Sequence, residues 1–175
     1  MSKILVAYGT KYGGTAEIAE KIGQVLREAG LTADVLPADR AGDLAAYEAV
    51  VLGSAVYVGA WRKEAATFLK ANANALADKM VWLFSSGPTG EGDAEELLQD
   101  WRLPKPLLPV AERIQPRDIA VFHGVVDGDK LSWIERRMLK TVKAPAGDFR
   151  DWDGITAWAA GVADVVKEGG DTESG

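Results

Sequence analysis

The chain has 175 residues, of which 47% are hydrophobic and 26% are charged, and its formal net charge is −6. It contains no cysteine and one histidine, His123, which excludes disulfides, thiol nucleophiles and cysteine-ligated metal centres and disfavours a histidine metal site. Any redox chemistry therefore needs an organic cofactor, and the acidic charge argues against a nucleic-acid partner.

The first predicted elements are a buried strand at residues 4–7 and a helix whose apolar face is formed by Ile18, Ala19, Ile22, Val25 and Leu26. A turn of glycines and hydroxyl residues joins them. Such a turn directs backbone N–H groups and the positive end of a helix dipole to one point, where a phosphate is stabilised. The predicted phosphate-binding residues are Thr10, Lys11, Tyr12, Gly13, Gly14 and Thr15.

The spacing of this turn separates the known kinds of phosphate loop. The dinucleotide fingerprint G-x-G-x-x-G is not met, and the NTPase loop is half met by Gly9 and Gly14, but Thr15 stands where its lysine belongs. The segment resembles the flavodoxin phosphate signature [ST]-x-[ST]-G-x-[ST], which Thr10, Gly13 and Thr15 match and from which Tyr12 departs. This resemblance implies flavin mononucleotide (FMN) as the cofactor. The alternative is that the segment is only a strand-to-helix turn and binds no ligand.

A second strand is predicted at residues 31–36 and a third at 47–54. The third runs into an apolar loop that contains Ala55, Val56, Tyr57, Val58 and Gly59. Loops at the carboxyl ends of parallel strands bind ligands in doubly wound sheets, and a flat ring stacked on Tyr57 would account for this composition. Trp61 has two interpretations, a ring contact or a cap on a helix predicted at residues 62–76.

A fourth strand, at residues 79–86, is followed by another glycine-rich loop. We expect Ser86, Gly87, Pro88, Thr89 and Gly90 to line the dimethylbenzene or pyrimidine edge of the flavin. Short helices are predicted at residues 92–102 and 107–114, a fifth strand at 118–126 with His123 packed inside it, and a last helix at 152–167. Residues 169–175 have the composition of a disordered tail.

Five strands that alternate with helices predict an α/β fold, a doubly wound parallel sheet with helices on both faces. The flavodoxin-like resemblance implies the strand order 2-1-3-4-5. We expect one domain at residues 1–168 that contains an insert at residues 127–150. No apolar run approaches a membrane span and residues 4–7 are too short for a signal peptide, which predicts a cytoplasmic protein.

The insert is basic and amphipathic. Apolar residues recur at helical spacing from Leu131 to Val142, and the residues predicted to dock on a membrane or partner are Trp133, Arg136, Arg137, Lys140 and Lys143. A short helix packed on the sheet edge with a solvated basic face is the alternative.

The insert, with the pair Asp151–Trp152 that opens the last helix, resembles the menaquinone-dependent protoporphyrinogen oxidases of bacteria. This second resemblance implies an FMN enzyme that passes electrons from a tetrapyrrole to a quinone, with peripheral contact at the inner face of the cell membrane. It assigns no catalytic side chain. The alternatives are a plain electron carrier between a reductase and an acceptor protein, and a domain that binds a phosphorylated ligand or a partner without redox chemistry.

Overall fold

The computed structural model describes residues 3–57, 59–88, 93–94, 102–126, 133–134, 137 and 147–173. Its centre is a sheet of parallel strands, β1 (Lys3–Gly9), β2 (Thr32–Pro37), β3 (Ala49–Tyr57), β5 (Met80–Ser86) and β6 (Asp118–Phe122), in the order β2-β1-β3-β5-β6. Counting these long strands alone, the order is the predicted 2-1-3-4-5. In register, Val6 of β1 lies between Val35 of β2 and Val51 of β3.

Helices cover both faces of the sheet, as predicted. Alternate residues of each strand point to opposite faces, and both sets are apolar, so each face is buried under helices. On one face, Ile4, Val6 and Phe84 pack against α1 (Gly14–Glu28) and α5 (Trp152–Glu173). On the other, Leu5, Leu52 and Leu83 pack against α2 (Lys63–Ala71), α3 (Ala73–Ala77) and α4 (Leu108–Ile114). Short 3-10 helices occupy Ala38–Arg40 and Lys105–Leu107. The carboxyl ends of the central strands therefore meet at one edge of the sheet.

The third strand is longer than predicted. It continues through Tyr57 and pairs antiparallel with a two-residue strand β4 (Ala60–Trp61), so that Val56 lies opposite Trp61. Much of the segment predicted as a loop is therefore a tight hairpin. The turn residue Gly59 has φ of 72°, which glycine adopts without strain.

The prediction of a single helix at residues 62–76 is wrong. The segment forms two helices, α2 and α3, which are separated at Asn72, whose backbone has φ of −106° and ψ of 15°. The Asn72 side-chain amide donates to the carbonyl oxygen of Phe68 at 2.9 Å, and asparagine commonly competes with helical hydrogen bonding in this way.

The fifth parallel strand ends at Phe122, not at Val126 as predicted. The chain turns at Gly124, where the N–H donates to the carbonyl oxygen of Pro88 at 2.9 Å and the carbonyl oxygen accepts from the N–H of Phe149 at 3.0 Å. It then forms β7 (Val125–Val126), which pairs antiparallel with β8 (Gly147–Asp148). The two ends of the predicted insert are thus joined in a small ribbon. His123 lies just past the strand and is half-buried.

The last helix begins at Trp152 as predicted and continues to Glu173, past the predicted end at residue 167. Residues 169–173 are therefore helical, which corrects the expectation of a tail over that stretch. The buried residues Ile155, Ala159, Val162 and Val166 hold the helix against the sheet. The helix predicted at residues 92–102 falls mostly outside the described residues. No helix in the described parts of the chain has the length and apolarity needed to span a membrane.

Candidate functional site

The predicted phosphate turn lies at the carboxyl end of β1 and has the geometry of an anion-binding turn. The hydroxyl of Thr10 accepts a hydrogen bond from the N–H of Gly13 at 3.0 Å, which closes the turn. Gly13 has φ of 91°, and α1 begins at Gly14 with no side-chain cap. The N–H groups in the first turn of a helix have no intrahelical acceptor, so a bound anion can receive them.

The end of β5 contacts this turn directly. The hydroxyl oxygens of Thr15 and Ser86 lie 2.8 Å apart, and their residues are 4% and 2% exposed. Gly87 follows, and its N–H donates to the carbonyl oxygen of Phe122 at 3.3 Å. The loop after β5 is therefore held between the phosphate turn and the end of β6. Thr89 and Gly90 lie outside the described residues.

The end of β3 meets the same turn through Tyr57. The Lys11 ammonium nitrogen lies 3.7 Å from the centroid of the Tyr57 ring, within the range of a cation–π contact. Tyr12 is 37% exposed, and its ring centroid is 5.4 Å from the same nitrogen. The structure thus brings the three predicted loops together at one edge, although Val58 lies outside the described residues.

Arg62 is a cation at the site that was not among the predicted site residues. Its Cζ lies 5.9 Å from the Tyr57 ring centroid, and its Nε is buried with no hydrogen-bond acceptor among the described residues. A buried donor without an acceptor is costly, so this atom favours a ligand with an acidic or carbonyl oxygen. A basic residue directly after Trp61 was the available signal in the sequence.

Trp61 has a structural role, but it does not cap α2, whose N-cap residue is Arg62. Its residue is 6% exposed, and its indole N–H donates to the hydroxyl of Ser85 at 2.8 Å. Ser85 in turn donates to the carbonyl oxygen of Arg102 at 2.8 Å. The indole therefore packs beneath the hairpin, among the residues between the sheet and α2. Of the two aromatic residues considered, Tyr57 is the one at the surface of the site.

The ribbon of β7 and β8 closes the site on the side of α1. A Cβ atom at Gly14 would lie 2.6 Å from a methyl carbon of Val125, so only glycine allows this close approach. Arg150 donates to the carbonyl oxygen of Gly14 at 3.3 Å and to the carboxylate of Asp148 at 2.7 Å. The Arg150 contact lowers the pKa of Asp148 below its ordinary value. Neither Val125 nor Arg150 was singled out in the sequence.

The part of the insert that the structure describes is exposed. Trp133 and Ile134 are 67% and 55% exposed, and Arg137 is also exposed. The other predicted docking residues, Arg136, Lys140 and Lys143, lie outside the described residues. No group of three or more histidine or acidic side chains among the described residues could hold a metal ion.

Comparisons with known proteins agree with this architecture. The flavodoxin domain family matches residues 5–153. The protoporphyrinogen IX dehydrogenase (quinone) of Escherichia coli K12 is 23% identical over 95% of this chain and 97% of its own length. The NAD(P)H dehydrogenase (quinone) of Rhodopseudomonas palustris is 30% identical over 56% of this chain and 63% of its own length. A flavodoxin from Archaea superposes with a TM-score of 0.63 at 15% identity, covering 94% of this chain and 99% of the other.

The site fits an FMN phosphate and ring. It offers an uncapped helix start for an anion, a buried Arg62 nitrogen without an acceptor, and an aromatic ring at the rim. The family match covers most of the chain, and the site's position at the carboxyl ends of the parallel strands is where doubly wound folds bind their ligands. The chain belongs to the flavodoxin family, and its cofactor is FMN.

Proposed function

We propose that this chain is an FMN-dependent oxidoreductase that passes electrons to a quinone. The observation that carries the proposal is the convergence of the three loops. Lys11 contacts Tyr57 at 3.7 Å and Thr15 contacts Ser86 at 2.8 Å, so the phosphate turn touches both of the other segments. The names of the Escherichia coli and Rhodopseudomonas palustris relatives both specify a quinone, which supports the choice of acceptor.

In this proposal the residues of the turn bind the phosphate. Thr10 keeps the turn closed, while the N–H groups of Gly14 and Thr15 face the anion with the positive end of the α1 dipole. Lys11 and Tyr12 form its outer wall. When bound, FMN takes up electrons from one substrate and delivers them to another.

The end of β3 and the loop after β5 orient the ring. Tyr57 supplies an aromatic face, and Gly59 in the turn of the hairpin lies on the side of the flavin N5. Val58, predicted to flank N5 with Gly59, lies outside the described residues. Gly87 and Pro88 line the opposite edge, where Gly87 allows the backbone to approach the ring closely. Thr89 and Gly90 are proposed for the same edge from the sequence alone. Lys11 and Arg62 favour negative charge beside the ring.

For the substrate, we propose protoporphyrinogen IX as the electron donor. The support is that the similarity to the Escherichia coli protein extends over 95% of this chain and 97% of that one. The test is anaerobic incubation of the flavin-loaded protein with protoporphyrinogen IX and menadione, with formation of the fluorescent porphyrin measured against a flavin-free control. A quinone-dependent rate well above the control supports the proposal. A rate equal to the control, with NADPH-driven quinone reduction instead, refutes it.

The insert is proposed as a contact with anionic lipid. Trp133 and Ile134 are large apolar side chains at 67% and 55% exposure, in a segment rich in lysine and arginine on an acidic protein. Vesicles that contain phosphatidylglycerol should sediment the intact chain, and Trp133→Ser with Ile134→Ser should release it. The matched control is Leu108→Ser, because Leu108 is a comparably exposed apolar residue, at 44%, on a different element.

A plain electron carrier is the second candidate. The archaeal flavodoxin superposes over 99% of its length, and the net charge of −6 suits a basic redox partner. A carrier exchanges electrons with a reductase and a protein acceptor, shows no porphyrin formation, and does not sediment with vesicles. A domain without redox chemistry would purify without flavin absorption and would not take up added FMN.

A further inference from the structure

The hydroxyl groups of Thr15 and Ser86 form a buried pair that joins the first turn of α1 to the end of β5. Their oxygen atoms are 2.8 Å apart across 71 residues of sequence. Thr15 is 4% exposed and Ser86 is 2% exposed, so water has little access to either group. The sequence places Ser86 at the edge of the flavin ring, whereas this contact places its hydroxyl beside the phosphate turn.

The pair has one more proton than it can use internally. Each hydroxyl carries one proton, and the hydrogen bond between the two oxygens uses one of them. Among the described residues, each hydroxyl has the other as its hydrogen-bond partner and no further one. The second proton is therefore available to an acceptor on a ligand.

A phosphate bound at the start of α1 would decide which of the two hydroxyls donates to the other. Thr15 is the second residue of α1 and so lies at the helix start that faces the anion. A phosphate monoester offers several oxygens that accept hydrogen bonds and, when ionised, no proton to donate. Thr15 must then donate to the phosphate, and its oxygen must accept the proton of Ser86.

We propose that Ser86 is a positioning residue for the phosphate of FMN. It donates its hydroxyl hydrogen to the Thr15 oxygen, fixes the rotamer of Thr15, and leaves the Thr15 hydrogen directed at the phosphate. A chain of hydrogen bonds that ends on an anion is also mutually polarised, which strengthens the last bond. The inference rests on FMN as the cofactor and is independent of the quinone and porphyrin.

The neighbouring serine provides a matched control. Ser85 and Ser86 are consecutive in β5 and therefore point to opposite faces of the sheet. Ser85 is also fully buried, but it is bonded to Trp61 and Arg102 on the face that lacks α1. Loss of its hydroxyl also removes buried hydrogen bonds, but none of them involves the phosphate turn.

The test compares FMN with riboflavin, which lacks the phosphate, in titrations of the flavin-free protein followed by flavin fluorescence. Ser86→Ala should weaken FMN binding about tenfold and riboflavin binding less than about twofold, because Thr15 loses the partner that directs its hydrogen to the phosphate. Thr15→Val should show the same selectivity. The double variant should bind FMN about as weakly as Thr15→Val alone, because Ser86 acts through Thr15. Ser85→Ala should leave the ratio of the two affinities unchanged.

The ³¹P resonance of bound FMN gives a second readout, which should shift in Ser86→Ala and remain in place in Ser85→Ala. Should Ser86→Ala fail to fold, Ser86→Cys keeps the volume with a weak donor, and the affinity ratio in Thr15→Val tests the same subsite. Equal losses for FMN and riboflavin, no loss for FMN, or additive effects in the double variant would overturn the inference. If the unsubstituted protein bound no FMN, the cofactor would be wrong, which is a separate outcome.

Discussion

Arg150 and Asp148 form a bidentate ion pair at the base of the ribbon. The Nε of Arg150 donates to one carboxylate oxygen at 2.9 Å and an Nη donates to the other at 2.7 Å. The other Nη lies 3.5 Å from the carboxylate of Glu17, and the Arg150 side chain is only 7% exposed. The guanidinium Cζ also lies 4.7 Å from the ring centroid of Trp152. One arginine thus connects the ribbon, the start of α5 and the first turn of α1.

Replacement of Arg150 by methionine should lower the free energy of unfolding by about 1–3 kcal/mol, because buried donors to charged groups are lost. Urea unfolding at pH 7 measures the effect. The Arg150 hydrogen bond lowers the Asp148 pKa below its ordinary value of 3.8. The stabilisation is therefore present above that value and is lost as the pH falls through the lower folded-state pKa. The difference in unfolding free energy between the variant and the unsubstituted chain should therefore become smaller at acidic pH. A deficit that is the same at pH 3 and pH 7 would contradict this account.

The network at the amino end of the sheet should titrate in alkali. The Tyr47 hydroxyl donates to the carboxylate of Asp34 at 2.7 Å, and burial followed by this hydrogen bond raises the pKa of Tyr47 from 10.0 to about 12. A raised pKa stabilises the protonated state. This contribution is complete below pH 10 and is lost as the pH rises towards 12.

Urea unfolding at several pH values between 9 and 12 tests this expectation, with absorbance at 295 nm to follow tyrosinate. Tyr47→Phe should lose about 1 kcal/mol at pH 7 and show a shallower alkaline decline than the unsubstituted chain. Part of the decline remains in the variant, because burial also raises the pKa of Tyr8. Identical alkaline slopes in the two proteins would exclude the Tyr47 contribution.

Trp61 and Tyr57 should respond differently to substitution. Trp61→Phe removes the hydrogen bond to Ser85 and leaves a buried hydroxyl with one partner fewer, at a cost of about 1–3 kcal/mol in stability. FMN affinity should change by less than about twofold. Tyr57→Leu should have little effect on stability but should weaken FMN binding by about tenfold, because the aromatic face is lost. Thermal unfolding and FMN titration of both variants give the comparison. A larger affinity loss in Trp61→Phe than in Tyr57→Leu would reverse the assignment.

The sequence predicts the sheet and the three loops because each of these features depends on a short run of neighbouring residues. The apolar run from Ile4 to Ala7 and the glycines after it signal a buried strand and a turn in a short window. The contact between Thr15 and Ser86 cannot be predicted from neighbouring residues, because it depends on where α1 crosses the sheet. The same holds for Arg150, whose partners include Gly14, 136 residues away. Residues 55–57 show the reverse error in secondary structure, since a segment predicted as a loop continues the third strand.

Lys11 should raise the reduction potential of the bound flavin. Its ammonium nitrogen lies 3.7 Å from the Tyr57 ring centroid, so a flavin stacked at that ring has a positive charge close by. A nearby cation stabilises the reduced, anionic flavin. An interaction over about 8 Å at an effective dielectric constant near 20 contributes about 1–2 kcal/mol, or about 20–40 mV for a two-electron couple.

Lys11→Met should therefore lower the two-electron potential by about this amount, measured by equilibration with a reference dye. Lys167→Met is the control, because Lys167 is an exposed lysine near the end of α5 and its substitution makes the same change in net charge. Its neighbour Gly169 lies beside Met80 at the amino end of β5, the sheet edge opposite the site. The potential of Lys167→Met should therefore remain within error of that of the unsubstituted protein, because a distant exposed charge is screened. An unchanged potential in Lys11→Met, or an equal fall in both variants, would show that Lys11 does not act on the flavin at close range.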